Sequence, residues 1–460
     1  MTKPLLLFQA PVTTRSGYGN HSRDLVLSLI KSDKYDVRIF PINWGDTPMN
    51  ALEEGNKNHK LIEDRIMETP ELPKQPDINV QVTVPTEFQQ VGKYNIGITA
   101  GIETTQASPQ WIEGCNRMDL VIVPSEHSKD VFKKSTYSQK NPQGQVSKVL
   151  ELTTPIEVLF EGVDTEIYKK TKDIPLTIKD ELNKISDKFN FLYVGHWLKG
   201  ELGQDRKDTG MLVKVFLETF KNHKNPPGLI MKTSGATFSI MDKYELLKKV
   251  DSIRNTIEDA KSLPNIHILH GDLTDEEMNG LYNHHKVKAH ISFTKGEGFG
   301  RPLLEATTSE KIVIAPNWSG QIDFLKDKLS VLMPGQINKV SPSAVWEGVI
   351  MAESGWFSIN YPYASKVMKD VYKNYRNYTV RGTKQGLLSK SKFSLKKMDI
   401  LFDELMEKYL PKNVSSQQVE LKLPKLNKIS HPSGNQVPQI KLPKARKLGN
   451  TKKIGEPTNV

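Results

Sequence analysis

Ten residues, Gly296-Glu297-Gly298-Phe299-Gly300-Arg301-Pro302-Leu303-Leu304-Glu305, restrict what this chain can fold into more than any other stretch of it. A largely apolar run, residues 287–293, leads into them. The pattern reads as a buried parallel strand, a glycine-rich turn and a helix. Pro302 suits the first helical position, where its missing N–H is no loss. Three glycines allow backbone to approach a bulky ligand. The N–H groups that open the helix favour an anion over the turn. Glu297 falls in the turn and Glu305 in the first helical turn. A carboxylate is a poor neighbour for phosphate but accepts hydrogen bonds from hydroxyls. The stretch therefore suits a ligand with phosphate in its middle and hydroxyls on both sides, as in a nucleotide sugar. The competing reading is a plain strand–turn–helix corner with two solvated acids.

The order Glu, seven residues, Glu, filled as EGFGRPLLE, resembles the signature of retaining GT-B glycosyltransferases of family four. The resemblance implies two Rossmann-like doubly wound domains facing a cleft. It implies that Glu297 holds donor-sugar hydroxyls, Glu305 the ribose, and the amides of Gly298, Phe299, Gly300 and Arg301 the diphosphate. It covers most of residues 1–410 and none of the tail.

Apart from that resemblance, apolar runs at 5–9, 37–42, 78–84, 96–99, 120–123 and 156–160 alternate with helical stretches. Such alternation predicts a parallel, doubly wound α/β sheet, with ligands at the carboxyl ends of its strands. After the first run comes Thr14-Arg15-Ser16-Gly17-Tyr18-Gly19, then a helix with Leu25, Leu29 and Ile30 on one face. Ser22 stands where a dinucleotide fingerprint wants glycine, so a nicotinamide cofactor is not indicated. A plain βα turn and a ligand loop fit equally well here. The resemblance favours the ligand loop, with Gly17 and Gly19 at the donor diphosphate and Arg15 as a charge partner. At 99–111, a Glu-Thr…Pro…Trp segment resembles the family's acceptor-facing loop, and Glu103 would orient or deprotonate an acceptor hydroxyl. Glu103 as an acid at a helix start is the alternative. Ser125 reads as a helix cap, and His127 as a surface histidine, with contact to substrate as the alternative. Glu161 stands where the family has Asn and is given no role.

Residues 171–187 read as a polar linker with a short helix, and a second sheet begins at 191–195. The family pattern "V-G-R", a loop and "R-K-G" is matched by Arg206 and Lys207, whose implied role is to neutralise the leaving diphosphate. His196 replaces the first Arg and Asp208 the Gly, so His196, Lys199 or Arg206 would supply the other phosphate contact. Two cations at a helix start oppose the dipole unless an anion is present. Runs at 229–232, 266–269, 287–293 and 312–315 complete the second sheet. The turn holding His270 and Leu273 packs on the nucleotide base by resemblance, and residues 317–320 lie near the donor. His284, His285 and His290 lack the pattern of a metal helix. No Asp-x-Asp triplet occurs, so no metal is expected, and fixed cations would stabilise the developing charge. Residues 341–378 read as amphipathic helix anchored by Trp346 and Trp356. Residues 393–410 read as a last helix, placed to cross back to the first domain as in GT-B enzymes.

The expected domains are 1–185 for the acceptor, 186–390 for the nucleotide-sugar donor, 391–410 for the returning helix, and a tail at 411–460. The formal charge is +11, of which the tail, with ten Lys and Arg against two Glu, carries +8. The tail repeats Lys-Leu-Pro-Lys at 422 and 441 and lacks aromatics, so it cannot bury enough surface to fold alone. It reads either as a solubilising end or as a tether to an acidic nucleic acid, membrane or protein. One cysteine, Cys115, suits a reducing compartment, and no run is long enough to span a membrane. The opening apolar run is too short for a signal peptide, and the expected location is the cytoplasm. The functional expectation is a retaining, metal-independent glycosyltransferase of unknown acceptor. The alternative is a nucleic-acid-associated protein of the same fold, either a DNA-modifying glycosyltransferase or a low-turnover scaffold held by its tail.

Overall fold

Short apolar runs between amphipathic helices build two parallel sheets. The structure is a computed structural model that describes residues 3–140, 146–198, 200–235 and 239–412. Residues 413–460 of the tail and Lys199, both given roles above, lie outside the described residues.

The first half contributes β1 (Leu5–Ala10), β2 (Asp36–Pro41), β3 (Ile78–Val82), β4 (Tyr94–Ile98) and β5 (Leu120–Val123). A hairpin of β6 (Tyr137–Lys140) and β7 (Val146–Leu150) follows, then β8 (Ile156–Val158). The sheet order is β2-β1-β3-β4-β5-β8, parallel throughout. The second half adds β9 (Asn190–Val194), β10 (Gly228–Lys232), β11 (Ile266–Leu269), β12 (Val287–Ile291), β13 (Ile312–Pro316) and β14 (Val331–Met333). Their order is β11-β10-β9-β12-β13-β14, again parallel. Strands β3 and β5 are buried at every position, as a sheet covered on both faces requires.

The covering helices are α1 (Gly17–Ser32), α2 (Lys57–Glu63), α3 (Pro109–Cys115), α4 (Glu126–Lys134), α5 (Leu176–Asn183), α6 (Thr209–Phe220), α7 (Ile240–Arg254) and α8 (Asp275–Asn283), then α9 (Arg301–Thr308), α10 (Tyr361–Lys373), α11 (Tyr375–Lys392) and α12 (Leu395–Tyr409). In α1, Leu25, Leu29 and Ile30 are buried, as their spacing predicts. Helix α12 lies against α1 and buries Met398, Phe402 and Met406. Burying each such side chain contributes about 1.5–3 kcal/mol. Lys34, beyond the end of α1, contacts Asp403 at 2.7 Å and Glu407 at 2.6 Å, but these exposed pairs add little.

The stretch 341–378 differs from its reading as helix. Within it lies β16 (Gly355–Ile359), paired antiparallel with β15 (Gly335–Lys339) just ahead of the stretch, and α10 begins only at Tyr361. Pro342, Gly348 and Gly355 break the helical pattern, and the aromatic run Trp356-Phe357 suits a strand. Trp356 is 2% exposed and packs, whereas Trp346 is 66% exposed and anchors nothing.

Candidate functional site

In each sheet the strand order reverses beside its first strand, between β1 and β3 and between β9 and β12. Loops leaving the carboxyl ends at such a reversal form a crevice that receives ligands. The loops after β1, β4, β9 and β12 bring the sequence-predicted residues together.

Glu297 is the centre of this group. Its Oε1 accepts from Lys207 Nζ at 2.6 Å, and its Oε2 lies 3.3 Å from Arg206 Nη1. Arg206 Nη1 also donates to the Gly296 carbonyl at 2.8 Å, and Nη2 lies 3.6 Å from Glu103 of the first half. Burial alone would raise the Glu297 carboxyl, but Lys207 and Arg206 outweigh it and hold it at about 2. Burial pulls Lys207 below the usual lysine range, with Glu297 opposing. Glu103 sits in the loop before α3, not at a helix start, which removes the dipole account of that residue. The loop containing Ser319 steadies Glu297. Its Oγ accepts from the Glu297 N–H at 3.0 Å, and Gly320 N–H donates to the Glu297 carbonyl at 3.0 Å. Ser319 adopts a φ of +71°, a region that favours glycine.

Glu305 and Arg301 form a second group. Glu305 accepts from Arg301 Nε at 3.0 Å and from the Tyr282 hydroxyl at 3.2 Å. Arg301 reaches the first half through Asp24 at 2.7 Å. Burial pushes Glu305 up to about 7, with Arg301 opposing and Asp275 adding to the rise. Glu161, given no role from sequence, belongs to the same acidic group. Burial raises it to about 7 against the pull of Arg301, with Asp24 and Glu305 reinforcing.

A cavity of about 330 Å³ is lined by Arg15, Gly17, His196, Lys232, Asp272 and Leu273 among others, and neither Glu297, Arg206 and Lys207 nor Glu305 and Arg301 are part of its wall. Arg15 and Asp272 form an ion pair across it. His196 Nδ1 is 3.0 Å from Ser234 Oγ, and burial beside Lys207 and Lys232 lowers its basicity. His270 Nε2 lies 2.8 Å from Asp242, which also accepts from the Gly235 N–H. Among the described residues, no three His, Cys, Asp or Glu side chains are placed to hold a metal ion.

Three details differ from the sequence reading. First, Gly296 and Gly298 are glycines because two backbones meet. A Cβ on Gly296 would lie 1.9 Å from the Glu103 carbonyl oxygen, and one on Gly298 would lie 1.9 Å from that of Ala100. Only Gly300 of the three takes a positive φ, +97°, as the cap of α9, with Arg301 and not Pro302 as first helical residue. Second, the Phe299 side chain is 2% exposed and packs on Phe324 at 5.1 Å, which leaves only its backbone for a ligand. Third, His127 is half-buried rather than on the open surface. It meets Trp318 edge-on at 4.6 Å, its Nε2 is buried without a hydrogen-bond partner among the described residues, and burial lowers it to about 4.

Gly19 is also a close approach, with the Thr14 carbonyl 2.2 Å from a Cβ there, whereas Gly17 faces open space. Ser16 caps α1 by accepting the Gly19 N–H at 2.9 Å. Tyr18 between the glycines stacks on Trp44 at 3.9 Å and accepts the Ala100 N–H at 3.0 Å. Sequence reasoning missed Asp24 and Tyr18, because what matters for each is a partner remote in sequence.

No family profile and no curated protein sequence matches the chain. Solved structures do match. The chain is similar to a glycosyltransferase from Rickettsia africae ESF-5, with a TM-score of 0.58 at 13% identity over 90% of this chain and 100% of that one. It is similar to HepE from Anabaena, solved in complex with UDP and glucose, with a TM-score of 0.53 at 12% identity over 88% and 100%. It is also similar to sucrose-phosphate synthase from Thermosynechococcus elongatus, with a TM-score of 0.58 at 11% identity over 88% and 99%. At such identities the likeness speaks for architecture: the two parallel sheets with their helices have the GT-B fold of these glycosyltransferases.

Proposed function

We propose that the chain is a retaining glycosyltransferase that moves a sugar from a nucleotide-sugar donor to an acceptor hydroxyl, without a metal ion. The observation that carries this reading is the convergence of Glu103, Arg206, Lys207 and Glu297 on one point at the strand-order reversal. Retention rests on the resemblance of EGFGRPLLE to the family signature. HepE was solved with UDP and glucose, which makes a uridine diphosphate sugar the first donor to try.

In this reading Arg206, Lys207 and the amides of residues 298–301 take up the charge of the leaving diphosphate. The bond from the anomeric carbon to the phosphate oxygen breaks, and the bond to the acceptor oxygen forms on the same face. The acceptor proton passes to the departing phosphate oxygen. Glu297 orients the sugar hydroxyls, Glu305 the ribose, and Glu103 the acceptor side. Gly17 and Gly19 border the diphosphate, and the turn with His270 and Leu273 borders the base. Residues 1–185 would serve the acceptor, 186–390 the donor, and 391–410 the return to the first domain. The basic residues at 411–460 would bind an acidic partner, and the single cysteine suits the cytoplasm.

A bound donor raises thermal stability by mass action. A panel of nucleotide sugars is expected to raise Tm with one base clearly preferred, and hydrolysis of that donor should be measurable without acceptor. A panel that shifts nothing would remove the proposal.

A further inference from the structure

Asp208 follows Arg206 and Lys207 directly and takes a φ of +52°, a conformation open to Asp at a modest penalty. Its carboxylate is completely buried. One oxygen lies 3.0 Å from Lys295 Nζ, itself 2% exposed, and the other accepts from the Tyr361 hydroxyl at 2.6 Å. Lys295 also holds the cation loop by its backbone: its N–H donates to the Arg206 carbonyl at 2.7 Å. Its own carbonyl accepts from the Phe357 N–H at 2.9 Å, which ties the arrangement to β16. Two residues on is Glu297. Lys295 therefore grips both ends of the Arg206-Lys207-Asp208 segment and carries the signature turn on its other side.

A buried ion pair is weak evidence of added stability, because desolvation offsets attraction; its better-attested value is in fixing one arrangement. The surroundings fit that use. Asp205, one turn away, is also buried and is raised to about 6 by burial and by Asp208. A second acid beside Asp208 weakens the case for the cluster as a source of stability.

We propose that Lys295 is a positioning residue that, through Asp208 and the Arg206 carbonyl, sets the separation of Arg206 and Lys207 from Glu297. This rests on the donor reading for its consequence, since those cations would receive the diphosphate, but not for its geometry.

The test compares wild type with Lys295→Arg and with the double variant Lys295→Met/Asp208→Asn, which removes both charges of the pair and leaves Asp205, held neutral below about pH 6 by burial, as the remaining acid. Each is followed by thermal unfolding, calorimetric titration with UDP and crystallography. The double variant is expected to unfold close to wild type. Its Lys207 to Glu297 contact, 2.6 Å in the native chain, is expected to open beyond about 3.5 Å. UDP should bind about 10-fold more weakly, while Lys295→Arg, which keeps the pair, stays within about 3-fold of wild type. A double variant with the contact unchanged, or with wild-type UDP affinity, would overturn the inference. So would a Lys295→Arg variant that loses as much affinity as the double variant. If wild type itself binds no nucleoside diphosphate, the donor reading fails, and the distance in the double variant still decides the role of Lys295.

Discussion

Glu297 stands between two cations with only 13% of its side chain exposed, so its charge is set by its neighbours. In the donor reading, removing it leaves Lys207, and Arg206 with its remaining partner Glu103, for an incoming diphosphate but takes away a hydrogen-bond acceptor for the sugar. Glu297→Ala is expected to lower kcat by about 100-fold or more while UDP affinity stays within a few-fold. Normal turnover in that variant would end the assignment. Glu305 behaves in the opposite sense. Its carboxyl rises from 4.5 to about 7 on folding, so the native state holds its proton over a range where the unfolded chain has lost it. The stability linked to this proton is fully present below pH 4.5 and is lost as pH rises through about 7. Glu305→Gln removes that dependence. The Tm of Glu305→Gln minus that of wild type should grow between pH 4.5 and pH 7, and a flat difference would contradict the burial argument.

Among elements, the two glycine loops look alike in sequence but meet different constraints. The turn after β12 lies against the loop after β4, backbone on backbone. Gly298→Ala must push the loop at Ala100 away, which is expected to cost about 1–3 kcal/mol and to lower Tm measurably. At Gly17, the first residue of α1, an added Cβ would meet nothing within 4 Å. Gly17→Ala should keep the stability of wild type and yet weaken UDP binding if the diphosphate lies over that loop. An unchanged affinity would move the ligand elsewhere. Calorimetry and thermal unfolding on this pair of variants separate space required by the fold from space required by a ligand.

At the scale of the whole molecule, the two halves share one apolar cluster, with Val80 and Ile98 of the first and Phe299 and Val313 of the second, and are also joined by polar contacts. Asp24 with Arg301, Arg15 with Asp272, Glu103 with Arg206, and Thr105 with Gly355 each link the first half to the second. Most of the net charge lies outside this body: residues 411–460 carry +8 of +11. Deleting them is expected to leave turnover of the donor unchanged and to lower the salt concentration that elutes the protein from heparin. Elution at the same salt would show that the body, not the tail, binds polyanions.

Much of the architecture was legible because parallel strands are continuous apolar runs and their ends are marked by glycine, proline and capping residues. Strands 120–123 and 266–269 stand where they were read, and the order of strands and helices follows from the same alternation. The stretch 341–378 was not legible, since its helix-like apolar spacing competes with glycine and proline breaks that only packing resolves. The acids and bases of the site were visible as types in a pattern. Their partnerships were not: Glu297 with Lys207, Arg301 with Asp24 and Lys295 with Asp208 join residues far apart in the chain. Local sequence specifies strand, turn and helix because these obey short-range sterics and periodicity. Which charges end up buried together, and therefore what protonation each keeps, depends on the closing of two sheets over one crevice, and tertiary structure alone decided that.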